Sequence, residues 1–149
     1  MTARQDILAA LRSALDSLAE QGTDAGWQQT GVIHEKSFAR FDKAAGRGRW
    51  VYAWLGPETN VEEGDAPAVS GMQVALIVWG KVNVDTAIID DVMEEMVADL
   101  KRAILLLDDA QYPNFANQTS IKSVTPDVIS DSVGSVIVEG SIRYYENAR

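Results

Sequence analysis

The side chains best suited to chemistry in this sequence are a single histidine, His34, and a carboxylate run, Asp90, Asp91, Glu94 and Glu95. A histidine that titrates near neutrality can serve as a general base, but only with a nucleophile or a substrate proton within hydrogen-bond reach. The chain has no cysteine, and none of its serines lies in the Gly-x-Ser-x-Gly turn that exposes a hydrolase nucleophile. In the short segment Val32-Ile-His-Glu-Lys36, His34 therefore reads as a surface or half-buried structural residue. Asp90 and Glu94, and likewise Asp91 and Glu95, stand four apart and share a helical face. Such a pair can contribute to a divalent cation site, but the remaining oxygen ligands must come from other elements, and the sequence nominates none. An acidic first turn facing solvent accounts for the run, because carboxylates are favoured at the positive end of the helix dipole. There is no P-loop, no dinucleotide-binding glycine pattern and no metal-ligand spacing of Cys or His. Gly46-x-Gly48 and Gly64 read as turn glycines. The expectation is a protein without catalytic residues, metal or cofactor.

Interaction chemistry is the alternative, and here the residues say more. The formal net charge is −9, from 22 acidic and 13 basic side chains. That balance argues against a free-standing nucleic-acid binder, which needs clustered Lys and Arg to neutralise phosphates. The one dense basic stretch holds Arg40, Lys43, Arg47 and Arg49. It reads first as a solvated loop and second as a contact for an acidic partner. Directly after it, Trp50, Tyr52 and Trp54 alternate onto one side of a strand, and Trp79 stands on another strand. These aromatics can lie under a helix or form an exposed patch that marks a protein interface. The two readings are compatible if a helix covers only half of the sheet. Glu58, Glu62, Glu63 and Asp65 follow in an acidic stretch without periodicity, which suits a mobile loop or a segment that orders against a partner.

These residues need elements to position them, and the strongest pattern runs from Gly71 to Asp108. Between Met72 and Val82 the even positions are Met72, Val74, Leu76, Val78, Gly80 and Val82, while the odd ones are apolar only in the middle. That predicts a long strand with one face in the core and the other covered at its centre. A helix over 85–107 follows, with Asp85 as its expected cap. Its apolar stripe is Ile89, Val92, Met93, Met96, Leu100, Ala103, Ile104 and Leu107. A first helix over 3–20 carries Leu8, Leu11, Leu15 and Leu18, flanked by Ile7 and Ala14, with Thr2 as cap and Gly22 as stop.

Residues 22–31 read as a loop apart from Trp27, and 32–36 as a short edge strand. Residues 37–45 are either a helical turn or loop. The next strand spans Arg49–Leu55, with Gly56-Pro57 ending it. A connection over 108–118 leads to a strand at Thr119–Val124, a turn region at 125–134 and a final strand at Ser135–Glu146. Val136, Val138, Ile142 and Tyr144 face one way along that strand, and Glu139, Ser141 and Arg143 the other. The last two strands suggest a hairpin. The expected architecture is α+β, with one mostly antiparallel sheet and two main helices packed on it.

Length and composition fit one domain over residues 1–149, with 46% hydrophobic and 23% charged residues. No apolar run reaches the roughly eighteen residues of a membrane helix. The N-terminus lacks the continuous apolar core of a signal peptide. The absence of cysteine fits a cytosolic setting.

The order of elements, the run Val74-Ala-Leu-Ile-Val-Trp-Gly-Lys-Val with its following helix, and the terminal strand Val136-Ile-Val-Glu-Gly-Ser-Ile-Arg-Tyr resemble one family. It is the tail terminator proteins of long-tailed bacteriophages, the group that includes the lambda minor tail protein U and related tail-completion proteins. The resemblance covers nearly the whole chain in element order. It implies a structural protein that forms a homo-oligomeric ring, a hexamer, at the head-proximal end of the tail. The ring caps the tail tube built of the major tail tube protein and presents a surface to a head-completion or connector protein. DNA would pass through an acidic lumen without specific binding, and assembly would take place in the host cytoplasm and end in the virion. Residues 56–70 become a segment that orders on a neighbour or on the tube, and Arg40–Arg49 one side of an intersubunit contact. The rival expectations are another phage neck component, of the head-closure or connector kind, and a carboxylate-dependent enzyme using 90–95. The partner bound separates the first rival, and loss of activity on amide substitution separates the second.

Overall fold

The structure, a computed structural model, describes residues 2–61, 69–85, 87–109 and 115–147. Three α-helices, two of them long, pack on a five-stranded sheet that is mostly antiparallel, giving the expected α+β architecture. The helices are α1 (Ala3–Gln21), α2 (Phe38–Lys43) and α3 (Ile89–Leu105). The strands are β1 (Val32–His34), β2 (Gly48–Val61), β3 (Val69–Asn83), β4 (Phe115–Val128) and β5 (Val133–Asn147), in the spatial order β1-β2-β3-β5-β4. Only β1 pairs in parallel, with Val32 to His34 beside Arg49 to Val51 of β2.

Strand β3 lies at the centre and divides its side chains as its alternation demands. Val74, Leu76, Val78 and Val82 are buried under α1 and α3 beside Val51, Ala53, Val136, Val138 and Ile142. All eight residues of the α3 stripe are buried with them. Glycine makes the contact close, since a Cβ on Gly80 would lie 2.6 Å from the Met96 sulfur. Helix α1 buries Ile7, Leu11, Leu15 and Leu18, so Ile7 takes the central place expected of Leu8, which is half-buried. Ile7 lies one turn from Leu11 on the same line, whereas Leu8 is rotated off it. Thr2 caps this helix as expected, with its hydroxyl accepting from Gln5 N at 3.1 Å and the Gln5 side chain accepting from Thr2 N at 2.8 Å.

Four expectations are corrected. The second long helix begins at Ile89 rather than 85, and no side chain caps it. Val84 N is held by Ser132 O at 2.8 Å, which keeps the chain in the strand direction past the end of β3. Asp85 instead pairs with Arg47 at 3.2 Å. Gly56-Pro57 does not end β2. The register shifts there from Leu55↔Leu76 to Glu58↔Val74, a bulge that takes in the proline and returns Glu58 to the helix-covered face. Strand β4 runs from Phe115 to Val128 rather than 119–124, with Pro126 tolerated because the strand is an edge. The turn region shrinks to 129–132 accordingly.

Candidate interaction surface

The second face of the sheet, away from α1 and α3, carries the aromatic residues. Strand geometry puts Trp50, Tyr52 and Trp54 of β2 beside Lys81, Trp79 and Ile77 of β3. Helix α2 has only six residues, too few to hold itself together, so tertiary contacts must fix it. Phe41 is almost fully buried and packs against Tyr52 and Trp79 at centroid distances of 5.7 and 5.9 Å. Phe38 reaches the same two rings from the edge and remains 47% exposed. Trp54 stands edge-on to Trp79 at 5.1 Å. The Lys81 ammonium lies over the Phe41 ring and donates to the carbonyls of Phe41, Asp42 and Ala44, at 2.9, 3.2 and 3.3 Å. A cation on the terminal carbonyls of a short helix both satisfies them and opposes the dipole.

The aromatics divide between cover and exposure. Trp50 is buried and Tyr52 lies beneath α2, while Trp54 and Trp79 stay partly open. Beyond α2 this face continues as Gln73, Ala75, Ile77, Ile137 and Glu139, all only half-buried. A recess of about 210 Å³ opens between Phe41, Trp79, Ile137 and the exposed Ile129 of the β4–β5 turn.

The basic stretch is not the uniform solvated loop expected. Arg47 donates to Asn83 Oδ1 and Val84 O at 3.0 and 2.7 Å, locking the start of β2 to the end of β3. Arg49 points to the helical side, donating to Gln29 Oε1 at 3.1 Å with Glu95 3.9 Å away. Arg40 and Lys43 project from α2 into solvent and make no hydrogen bond or ion pair with another described residue. Glu58 is also engaged, accepting from Tyr144 Oη at 2.6 Å and from Arg4 at 3.3 Å. Glu62, Glu63 and Asp65 lie outside the described residues.

The residues first considered for chemistry are placed structurally. His34 has a side chain only 3% exposed, and its Nδ1 lies 2.7 Å from Asp16 Oδ1. Burial lowers its pKa against the pull of Asp16, so the ring is a neutral Nδ1–H donor at neutral pH. Burial pushes the Asp16 carboxyl up, but the hydrogen bonds and charges of His34 and Lys36 outweigh it and hold the group below its usual value. A ring so enclosed cannot meet a substrate. Asp90, Asp91 and Glu94 are exposed, as a solvent-facing first turn requires. Among the described residues no group of three His, Cys, Asp or Glu side chains is placed to hold a metal ion. Nor is any helix among them long and apolar enough to cross a membrane.

One buried acid was missed. Asp99, 1% exposed on α3, accepts from Gln28 N, Gln29 N and Gln29 Nε2 at 2.8, 3.1 and 2.9 Å. With Trp27 under the Arg102 guanidinium at 4.3 Å, it fastens the 22–31 segment to α3. Its place in the sequence, three residues after Met96 and one before Leu100, lies on the edge of the apolar stripe, and that was the available signal.

No family model and no curated protein matches this chain. Among solved structures it is similar to a chain of the virion of native gene transfer agent (GTA) particle. That likeness has a TM-score of 0.60 at 15% identity, and it covers 98% of this chain and 100% of that one. At such identity the likeness is one of fold: the arrangement of helices on a mostly antiparallel sheet is shared over the full length of both chains.

Proposed function

We propose that this protein is a structural component of a phage-like virion, specifically a tail terminator. It forms a ring, taken to be a hexamer, that caps the tail tube and supports head–tail joining. The observation that carries this reading is the fold likeness to a virion protein, which covers 98% of this chain and 100% of that one. The placement of the polar residues supports it. Buried Asp99 and His34 serve the fold, while the exposed charges Arg40 and Lys43 and the half-buried aromatics Trp54 and Trp79 lie on the open side of the sheet, where a partner can reach them. In this reading the partners are other copies of the chain, the major tail tube protein and a head-completion or connector protein. Arg40, Lys43, Trp54 and the acidic residues Glu62, Glu63 and Asp65 belong to contact surfaces, and the protein resides at the head-proximal end of the tail.

The test is to add purified full-length protein to polymerising tail tube subunits and to view the tubes by electron microscopy. Tubes that stop growing with a ring at one end are expected. Rings that bind portal or connector assemblies and ignore tubes would move the protein to the head-closure group, and binding to neither would sink the virion reading.

A further inference from the structure

Beside α2 a groove of about 370 Å³ runs along the open side of the sheet. Its lining combines the apolar Trp50, Ala39, Ala44 and Ala45 with the charged side chains of Arg40, Lys43 and Glu35. The two cations are exposed and lack partners among the described residues. We propose that this groove receives a second copy of the chain, which enters with the segment Ile88–Glu94 at the start of its α3. The idea rests on the ring reading above and names the contact that builds the ring.

Charge and shape together select this occupant. Ile88 is 67% exposed, the most exposed of the large apolar side chains among the described residues, and the exposed acids Asp90, Asp91 and Glu94 follow it in the first turns of α3. An exposed isoleucine alone means little. An isoleucine followed by exposed acids is complementary to an apolar recess that also carries Arg40 and Lys43, with the charges setting register and encounter rate.

Strand edges are poorer places for copies to meet. Strand β4 has two register shifts, Lys122 and Pro126, and the free edge of β2 has its bulge at Gly56-Pro57. Those devices discourage edge-to-edge pairing.

The two patches also face apart. The groove is on the open side at the β1–β2 end of the sheet, and α3 crosses the other side over β3, β5 and β4. A contact between two different patches is head-to-tail, and such contacts close into rings when the rotation allows.

The test uses the full-length protein and two charge-reversed variants, Arg40→Glu with Lys43→Glu, and Asp90→Lys with Asp91→Lys. All four side chains are exposed, so each variant should still melt cooperatively, the Asp90→Lys, Asp91→Lys variant lower by about 1–2 kcal/mol because it sets two cations at the positive end of the α3 dipole. Self-association measured by sedimentation should weaken by about tenfold or more in each variant. An equimolar mixture should recover assembly, because the acidic groove of one variant meets the basic helix start of the other. Wild-type association should also weaken at about 1 M salt, where screening length falls to about 3 Å. Wild-type-like assembly by either variant overturns the contact, and so does a mixture that stays dissociated. Tube capping is read separately: variant rings that still form and cap tubes sink only the contact, whereas wild-type rings that ignore tubes sink only the terminator reading.

Discussion

On one face of β3, Val74, Leu76, Val78 and Val82 are shut off from water, while the alternating residues Gln73, Ala75, Ile77, Trp79 and Lys81 all remain partly exposed on the other. Both sets are largely apolar at the centre of the strand, so composition does not separate them. What differs is the cover. Among the described residues, helices of 19 and 17 residues close the first face, and a helix of six residues closes one corner of the second. The first face therefore holds the fold together, and the second has surface left for something else. With one closed and one half-closed sheet face, the residues that hold the fold and the residues left for the proposed contacts can be altered independently.

The largest effect should come from the closed face. Leu100→Ala removes a fully buried side chain from the α3 stripe and is expected to cost about 2–5 kcal/mol in denaturant unfolding. Asp99→Ala should follow at about 2–4 kcal/mol, because three donors in the 28–29 segment would lose their acceptor while buried. Faster amide exchange at Gln28 and Gln29 would identify that cause. Trp54→Ala, on the open face, should cost only about 1 kcal/mol of stability yet weaken association. A stability loss as large as that of Leu100→Ala would erase the distinction between the faces.

The smallest effect is the pH dependence of the His34–Asp16 pair. Folding lowers the His34 pKa, so below its ordinary value of about 6.5 the unfolded chain binds a proton that the folded chain does not. Stability should fall as pH drops through that value toward the lower folded pKa. Asp16, also lowered, adds a second loss as pH falls below the ordinary carboxylate range. His34→Gln should flatten the first slope and shrink the second, because His34 supplies the leading interactions that lower Asp16, with Lys36 left to hold part of it. Unfolding midpoints measured between neutral and acid pH would show both changes.

Periodicity carried most of the closed face in the sequence. The α3 stripe and the even positions of β3 are local patterns, and each of those stripe residues is buried because a helix or strand repeats its facing direction at a fixed step. What stayed hidden depends on residues far apart in the chain. Asp99 meets Gln28 and Gln29 some seventy positions away, and Arg49 turns to the helical side for Gln29. A carboxylate or guanidinium reads as solvent-facing until its distant partner is known. The same holds for Asp85, whose spacing suggested a cap but whose partner is Arg47. Gly56-Pro57 looked like a stop because proline removes a donor, and the sheet instead absorbed it in a bulge. On the open face the alternation of Trp50, Tyr52 and Trp54 was plain, but how α2 divides them into covered and open rings required the tertiary structure.

The most direct measurement is the native mass of the full-length protein over a range of concentrations, alone and with tail tubes. The open face and the α2 groove predict a closed oligomer at an integer multiple of the 16.2 kDa chain, six copies in the ring reading. A protein that remains monomeric at every concentration, with tubes as well as without them, would contradict the account.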